Sequence, residues 1–91
     1  MIKKVILKGR VQGVGCRGYC AKYARRFAIS GSASNLHDGS VRLILNVNEE
    51  AVFKQFISSL ITNPEGYYFW GSIEDVSISD HSGKTDGDYN F

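Results

Sequence analysis

Ninety-one residues suffice for one domain with a single core and leave no room for a second unit. Two-domain enzymes, repeat solenoids and doubly wound nucleotide folds are thereby excluded, while 43% apolar and 22% charged residues exclude disorder. The net charge of +2 hides an uneven split: residues 1–42 sum to +8 and residues 43–91 to −6. An anionic ligand against the first half, or pairing between the halves, would each answer that asymmetry. No apolar run nears the ~20 residues of a membrane span, so no membrane association is expected. The start, Met1-Ile2-Lys3-Lys4-Val5-Ile6-Leu7, is too briefly apolar for a signal peptide, and a cytoplasmic location is expected.

Val5, Leu7, Gly9 and Val11 alternate with Lys4, Ile6, Lys8 and Arg10, the period of a strand. Gly13-Val14-Gly15 breaks it as a loop. From Cys16 the spacing turns helical through Cys20, Tyr23 or Ala24, and Phe27, with Lys22, Arg25 and Arg26 on the wet side. Ile29-Ser30-Gly31 stops this helix. A second strand over 32–36 runs into His37-Asp38-Gly39-Ser40, a hairpin signal, and Val41, Leu43, Leu45 and Val47 form the third.

Asn48 is placed to cap a second helix, with Glu49 and Glu50 in its first turn and Val52, Phe53, Phe56, Ile57, Leu60 and Ile61 as the buried stripe. Asn63-Pro64-Glu65-Gly66 ends it. The aromatic run Tyr67-Tyr68-Phe69-Trp70 suits either a loop packed over the core or an exposed partner patch. Ile73, Val76 and Ile78 mark a fourth strand, out of phase as a bulge would make it. Residues 80–88 are polar and Gly-rich, which suits either a loop or a frayed tail, and Tyr89 and Phe91 are candidates for a short last strand. The order β-α-β-β-α-β specifies an α+β, ferredoxin-like sandwich: one domain over residues 1–91, with two helices on one face of an antiparallel sheet of four to five strands.

Several patterns match without their structural context. Gly13, Gly15 and Gly18 satisfy G-x-G-x-x-G, and Asp38 follows at dinucleotide-site spacing, yet the next strand enters a tight hairpin rather than a parallel sheet. Cys20 to Arg26 has the C-x5-R spacing of cysteine phosphatases, but the intervening residues read as helix. No G-K-[ST] follows the glycines, and His37 and His81 lack a ligand cluster, so no cofactor or metal is expected. Cys16 and Cys20 are too close for a useful structural disulfide and read as small apolar residues on a helix face.

Strand, Gly-rich bend and Arg17 in the first helical turn together make an anion site. Backbone N–H groups of the bend form a nest, the helix start adds unpaired donors, and Arg17 adds a planar fork for two phosphate oxygens. The stretch Leu7-Lys8-Gly9-Arg10-Val11-Gln12-Gly13-Val14-Gly15-Cys16-Arg17 resembles the first acylphosphatase signature, G-x-V-Q-G-V-x-F-R. Gly31-Ser32-Ala33-Ser34-Asn35, followed by Asp38-Gly39-Ser40-Val41, resembles the second: a glycine, an aromatic, two residues, an asparagine, then D-G-x-V.

The resemblance, to the small stand-alone acylphosphatases, is close over residues 3–61 and looser beyond. It implies metal-independent hydrolysis of small-molecule acyl phosphates. Arg17 and the N–H groups of Gly13, Val14, Gly15 and Cys16 would hold the phosphate, and Asn35 would orient the water. An acyl phosphate expels a carboxylate, so no general acid is demanded. Cys16 replaces the signature's phenylalanine, Ser32 its aromatic, and Val47 or Asn48 stands where the family has a glycine. The 67–70 run is a candidate to restore the missing aromatic volume. A weakly catalytic acyl- or carbamoyl-phosphate-binding domain is the alternative. RNA binding is not expected, because Val41-Arg42-Leu43-Ile44-Leu45-Asn46-Val47 offers no aromatic stacking platform. A monomer is expected.

Overall fold

The computed structural model describes all 91 residues. Its elements run β1 (Ile2–Arg10), α1 (Cys16–Arg26), β2 (Ser30–Asn35), β3 (Val41–Asn46), α2 (Glu50–Thr62), β4 (Ser72–Asp80) and β5 (Tyr89–Asn90). The five strands form one antiparallel sheet in the order β4-β1-β3-β2-β5, the expected split arrangement. Register sets the faces. Val5 lies opposite Leu43 and Ile78, Leu7 opposite Val41 and Val76, and Ala33 opposite Leu43, so these side chains share the face under the helices. Cys20, Tyr23 and Ala24 of α1, with Phe53, Phe56 and Leu60 of α2, close over them to form the core.

Several boundaries differ from the sequence reading. The α2 cap is Glu49 rather than Asn48, and no side chain bonds the free helix start. Ile61 turns away from the core and is 54% exposed, leaving Phe53, Phe56 and Leu60 as the deepest part of the stripe. The out-of-phase fourth strand is a true bulge: Lys8 faces Asp75 and Gly9 faces Ile73, leaving Glu74 as the extra residue. The charge asymmetry is partly internal. All three ion pairs, Lys3–Asp80 (3.0 Å), Lys3–Glu50 (3.7 Å) and Arg26–Glu65 (3.4 Å), join the basic half to the acidic half.

The aromatic run divides by alternation. Phe69 stacks on Tyr19 at 4.6 Å and Tyr67 packs on Tyr23 at 4.9 Å, both against α1. Tyr68 and Trp70 point out, 74% and 68% exposed. The run does not reach Ser32, which lies on the sheet face away from the helices. Residues 81–88 take that space, crossing from β4 at one edge to β5 at the other. Gly87 lies against the Ser32 and Ser34 hydroxyls, and the Asp88 N–H donates to Ser34 Oγ at 3.0 Å. Ser32, Ser34 and Ile44 are buried on a face that lacks helices. The small side chain at position 32 thus admits a strap of main chain.

The segment joining the aromatic run to β4 is pressed onto β1. A Cβ at Gly71 would collide with the Arg10 carbonyl and with Val14 Cγ2. Gly71→Ala is therefore expected to lower the melting temperature by roughly 5–15 °C, the scale of an overpacked core in so small a domain. Thermal denaturation followed by circular dichroism reads this directly, and an unchanged melting temperature would contradict the packing described.

Candidate functional site

β1 leaves the sheet at Arg10, and the chain must turn back into α1 within five residues. Gly13 (φ +72°) and Gly15 (φ +82°) make the turn in a backbone region that side chains disfavour. Gly15 is also the N-cap of α1. No side chain caps this helix, and its first turn holds no acidic residue. The first-turn N–H groups therefore keep their hydrogen-bonding capacity at the positive end of the helix dipole.

Arg17 projects from that turn, half-buried, and enters none of the three ion pairs. Its charge has no carboxylate partner in the protein. Asn35 ends β2, and its backbone N–H donates to Asp88 Oδ2 at 3.1 Å. Its side-chain Oδ1 is buried and receives no hydrogen bond. An orphaned buried acceptor costs about 1–3 kcal/mol, a strain that a bound donor would relieve.

A cavity of about 150 Å³ brings these groups together, with Gly13, Gly15, Cys16, Arg17, Asn35 and Tyr89 among its walls. Four of the five expected phosphate-loop residues line it. Val14 does not: its side chain is buried beneath Gly71, and its carbonyl accepts the Trp70 N–H at 3.1 Å. A larger hollow of about 350 Å³, between Lys8 and the 38–40 turn, suits an anion less well. It contains Asp38, whose carboxyl is held below its usual pKa by hydrogen bonds from the Ser40 hydroxyl and backbone N–H.

Cys16 and Cys20 are both buried free thiols, their sulfurs 3.9 Å apart. The hydrogen bond between them lowers the pKa of Cys16, which Arg17 also favours, against the opposing effect of burial. The same bond, with burial, raises that of Cys20. No group of three His, Cys, Asp or Glu side chains is placed to hold a metal ion.

Gln12 joins the two signature segments. Its Nε2 donates to the Leu36 carbonyl at 2.7 Å and to the Ser40 carbonyl at 2.8 Å, bridging the β1–α1 loop and the β2–β3 hairpin that carries Asn35. The sequence reading passed over Gln12, although the residue stands inside the first signature. It gave no site role to Asp88, or to Tyr89, which it placed only in the last strand. Gln12→Leu keeps much of the side-chain volume and removes both bonds. It is expected to cost about 1–3 kcal/mol of stability through the loss of two hydrogen bonds, the Leu36 and Ser40 carbonyls each keeping only a main-chain donor, measurable by urea denaturation; an unchanged midpoint would count against the bridge.

The acylphosphatase family model matches residues 3–90. An acylphosphatase of Petrotoga mobilis is 36% identical over 78 residues, covering 86% of this chain and 82% of the relative. One of Clostridium perfringens is 32% identical over 77 residues, covering 85% and 84%. The crystal structure of acylphosphatase from Bacillus subtilis superposes with a TM-score of 0.73 at 26% identity, covering 92% of this chain and 89% of that one. An acylphosphatase from Coxiella burnetii shares the fold, with a TM-score of 0.70 at 22% identity over 94% and 87% of the two chains. Because the match runs from the first strand to the last and the fold agrees along the same length, this chain belongs to the acylphosphatase family.

Proposed function

We propose that this protein hydrolyses acyl phosphates to a carboxylate and inorganic phosphate, with Arg17 and the first-turn N–H groups holding the phosphoryl group and Asn35 orienting the water. Family membership and the names of the relatives support the activity. One observation carries the assignment of roles: the unpartnered, buried Oδ1 of Asn35 shares a cavity with Arg17 and the uncapped start of α1.

The chemistry needs little more than this. Arg17 and the backbone donors take the charged phosphoryl oxygens and stabilise charge that redistributes as the bond to the carboxyl oxygen lengthens. Asn35 Oδ1 accepts a hydrogen bond from water and holds its oxygen toward phosphorus. The water oxygen bonds to phosphorus, the bond to the carboxyl oxygen breaks, and its electron pair leaves with the carboxylate. The water's proton passes to a phosphoryl oxygen. A carboxylate is a good leaving group, so no acid has to protonate it.

No helix is long and apolar enough to cross a membrane. The same reading takes the protein as a cytoplasmic monomer, and its two free cysteines are consistent with a reducing compartment.

Benzoyl phosphate hydrolysis by the purified protein, in buffer containing a chelator, tests the proposal. Arg17→Ala is expected to lose at least ~10²-fold in kcat/KM, the usual scale for one such donor, and to weaken inhibition by inorganic phosphate. Asn35→Ala is expected to lower kcat mainly, leaving phosphate inhibition in place. Full activity in a folded Arg17→Ala protein would overturn the assignment.

A further inference from the structure

The cavity that holds Arg17 and Asn35 has an apolar wall as well as polar donors. Three apolar residues line it: Val11, Cys16 and Tyr89. Val11 and Cys16 are each 2% exposed and spend their surface on the core, whereas Tyr89 is 37% exposed. Tyr89 is thus the one exposed apolar residue among those lining this cavity.

Strand register puts the ring there and keeps it there. Tyr89 pairs with Ala33, two residues before Asn35 and on the same face of β2. Phe91 and Gly31 exchange two backbone hydrogen bonds, at 3.0 and 2.9 Å. Asp88, next in line, accepts the Asn35 N–H at 3.1 Å and donates its own N–H to Ser34 Oγ at 3.0 Å. Four bonds therefore tie the strand bearing the ring to the strand bearing Asn35.

An acyl phosphate has two unlike ends. Its phosphoryl end belongs among donors and positive charge, which the 13–17 loop provides. Its acyl end gains from leaving water, and the ring of Tyr89 lies at the same opening. We propose that Tyr89 forms the acyl subsite, packing its ring against the acyl group and selecting aromatic acyl phosphates over acetyl phosphate. This inference rests on the acyl phosphate hydrolysis proposed above.

The test measures kcat/KM for benzoyl phosphate and for acetyl phosphate in the parent protein, Tyr89→Phe and Tyr89→Ala. Tyr89→Thr serves as a second truncation with a strand-forming side chain. The ratio of the two values, benzoyl over acetyl, is expected to fall roughly 3- to 10-fold in both truncated variants, the worth of one ring–ring contact. Most of the change should appear in KM, and Tyr89→Phe should keep the parent ratio. Equal losses on both substrates would make the ring a prop for Asn35 and overturn the inference. So would an unchanged ratio, or a Phe variant that behaves like Ala. A parent protein inert toward both substrates would instead sink the hydrolysis reading, and the subsite with it.

Discussion

The Gln12 carboxamide spans two pieces of backbone that leave the sheet side by side, beyond the pairing of Leu7 with Val41 and of Val41 with Asn35. On one side is the loop that turns β1 into α1; on the other is the hairpin between β2 and β3. Neither half is a site alone. The loop supplies N–H donors, a helix start and Arg17, while the hairpin supplies the Asn35 amide. Their separation is fixed by two hydrogen bonds, at 2.7 and 2.8 Å, from one side-chain nitrogen to two main-chain carbonyls. The sheet brings the segments near, and this bridge sets the distance across which a phosphoryl group and a water would have to fit.

The site remains open because the protein leaves its own groups unpaired. An acidic residue in the first turn of α1, or a serine or aspartate at its cap, would satisfy the helix start and close it to an anion. Glycine stands at the cap instead, and Arg17 has no carboxylate partner. Asn35 is held by its main chain to Asp88 while its buried side-chain oxygen stays free. The buried Asn35 oxygen costs stability, which the aliphatic and aromatic core has to offset, whereas the loop and Arg17 reach solvent.

Departures from the family signatures are absorbed locally. Ser32 brings no bulk to the sheet face away from the helices, and that face is closed by main chain crossing from β4 to β5. Ile44 is buried on that same face, in the central strand where an RNA-binding module would display aromatic rings. Cys16 is accommodated as a buried thiol against Cys20, in keeping with its reading as a small apolar residue. Tyr67 and Phe69 thicken the packing around α1 rather than replacing the missing aromatic at position 32.

What the sequence determined by itself is what local pattern encodes. Two-residue alternation through Val5 and Leu7, helical spacing through Cys20 and Tyr23, and the Asp38-Gly39 turn state the order of elements. A glycine-rich bend before Arg17 states a turn into an uncapped helix start, because positive φ and the absence of a capping side chain are properties of a few consecutive residues. The aromatic run was ambiguous because burial of alternate rings depends on Tyr19 and Tyr23, which are more than forty residues away in the chain. Tertiary structure alone decided the Gln12 bridge, the path of residues 81–88 over the open sheet face, and the arrival of Tyr89 beside Asn35. Those contacts span distances along the chain over which periodicity carries no information. They arise only when strand order and register have been chosen by the packing of the whole core.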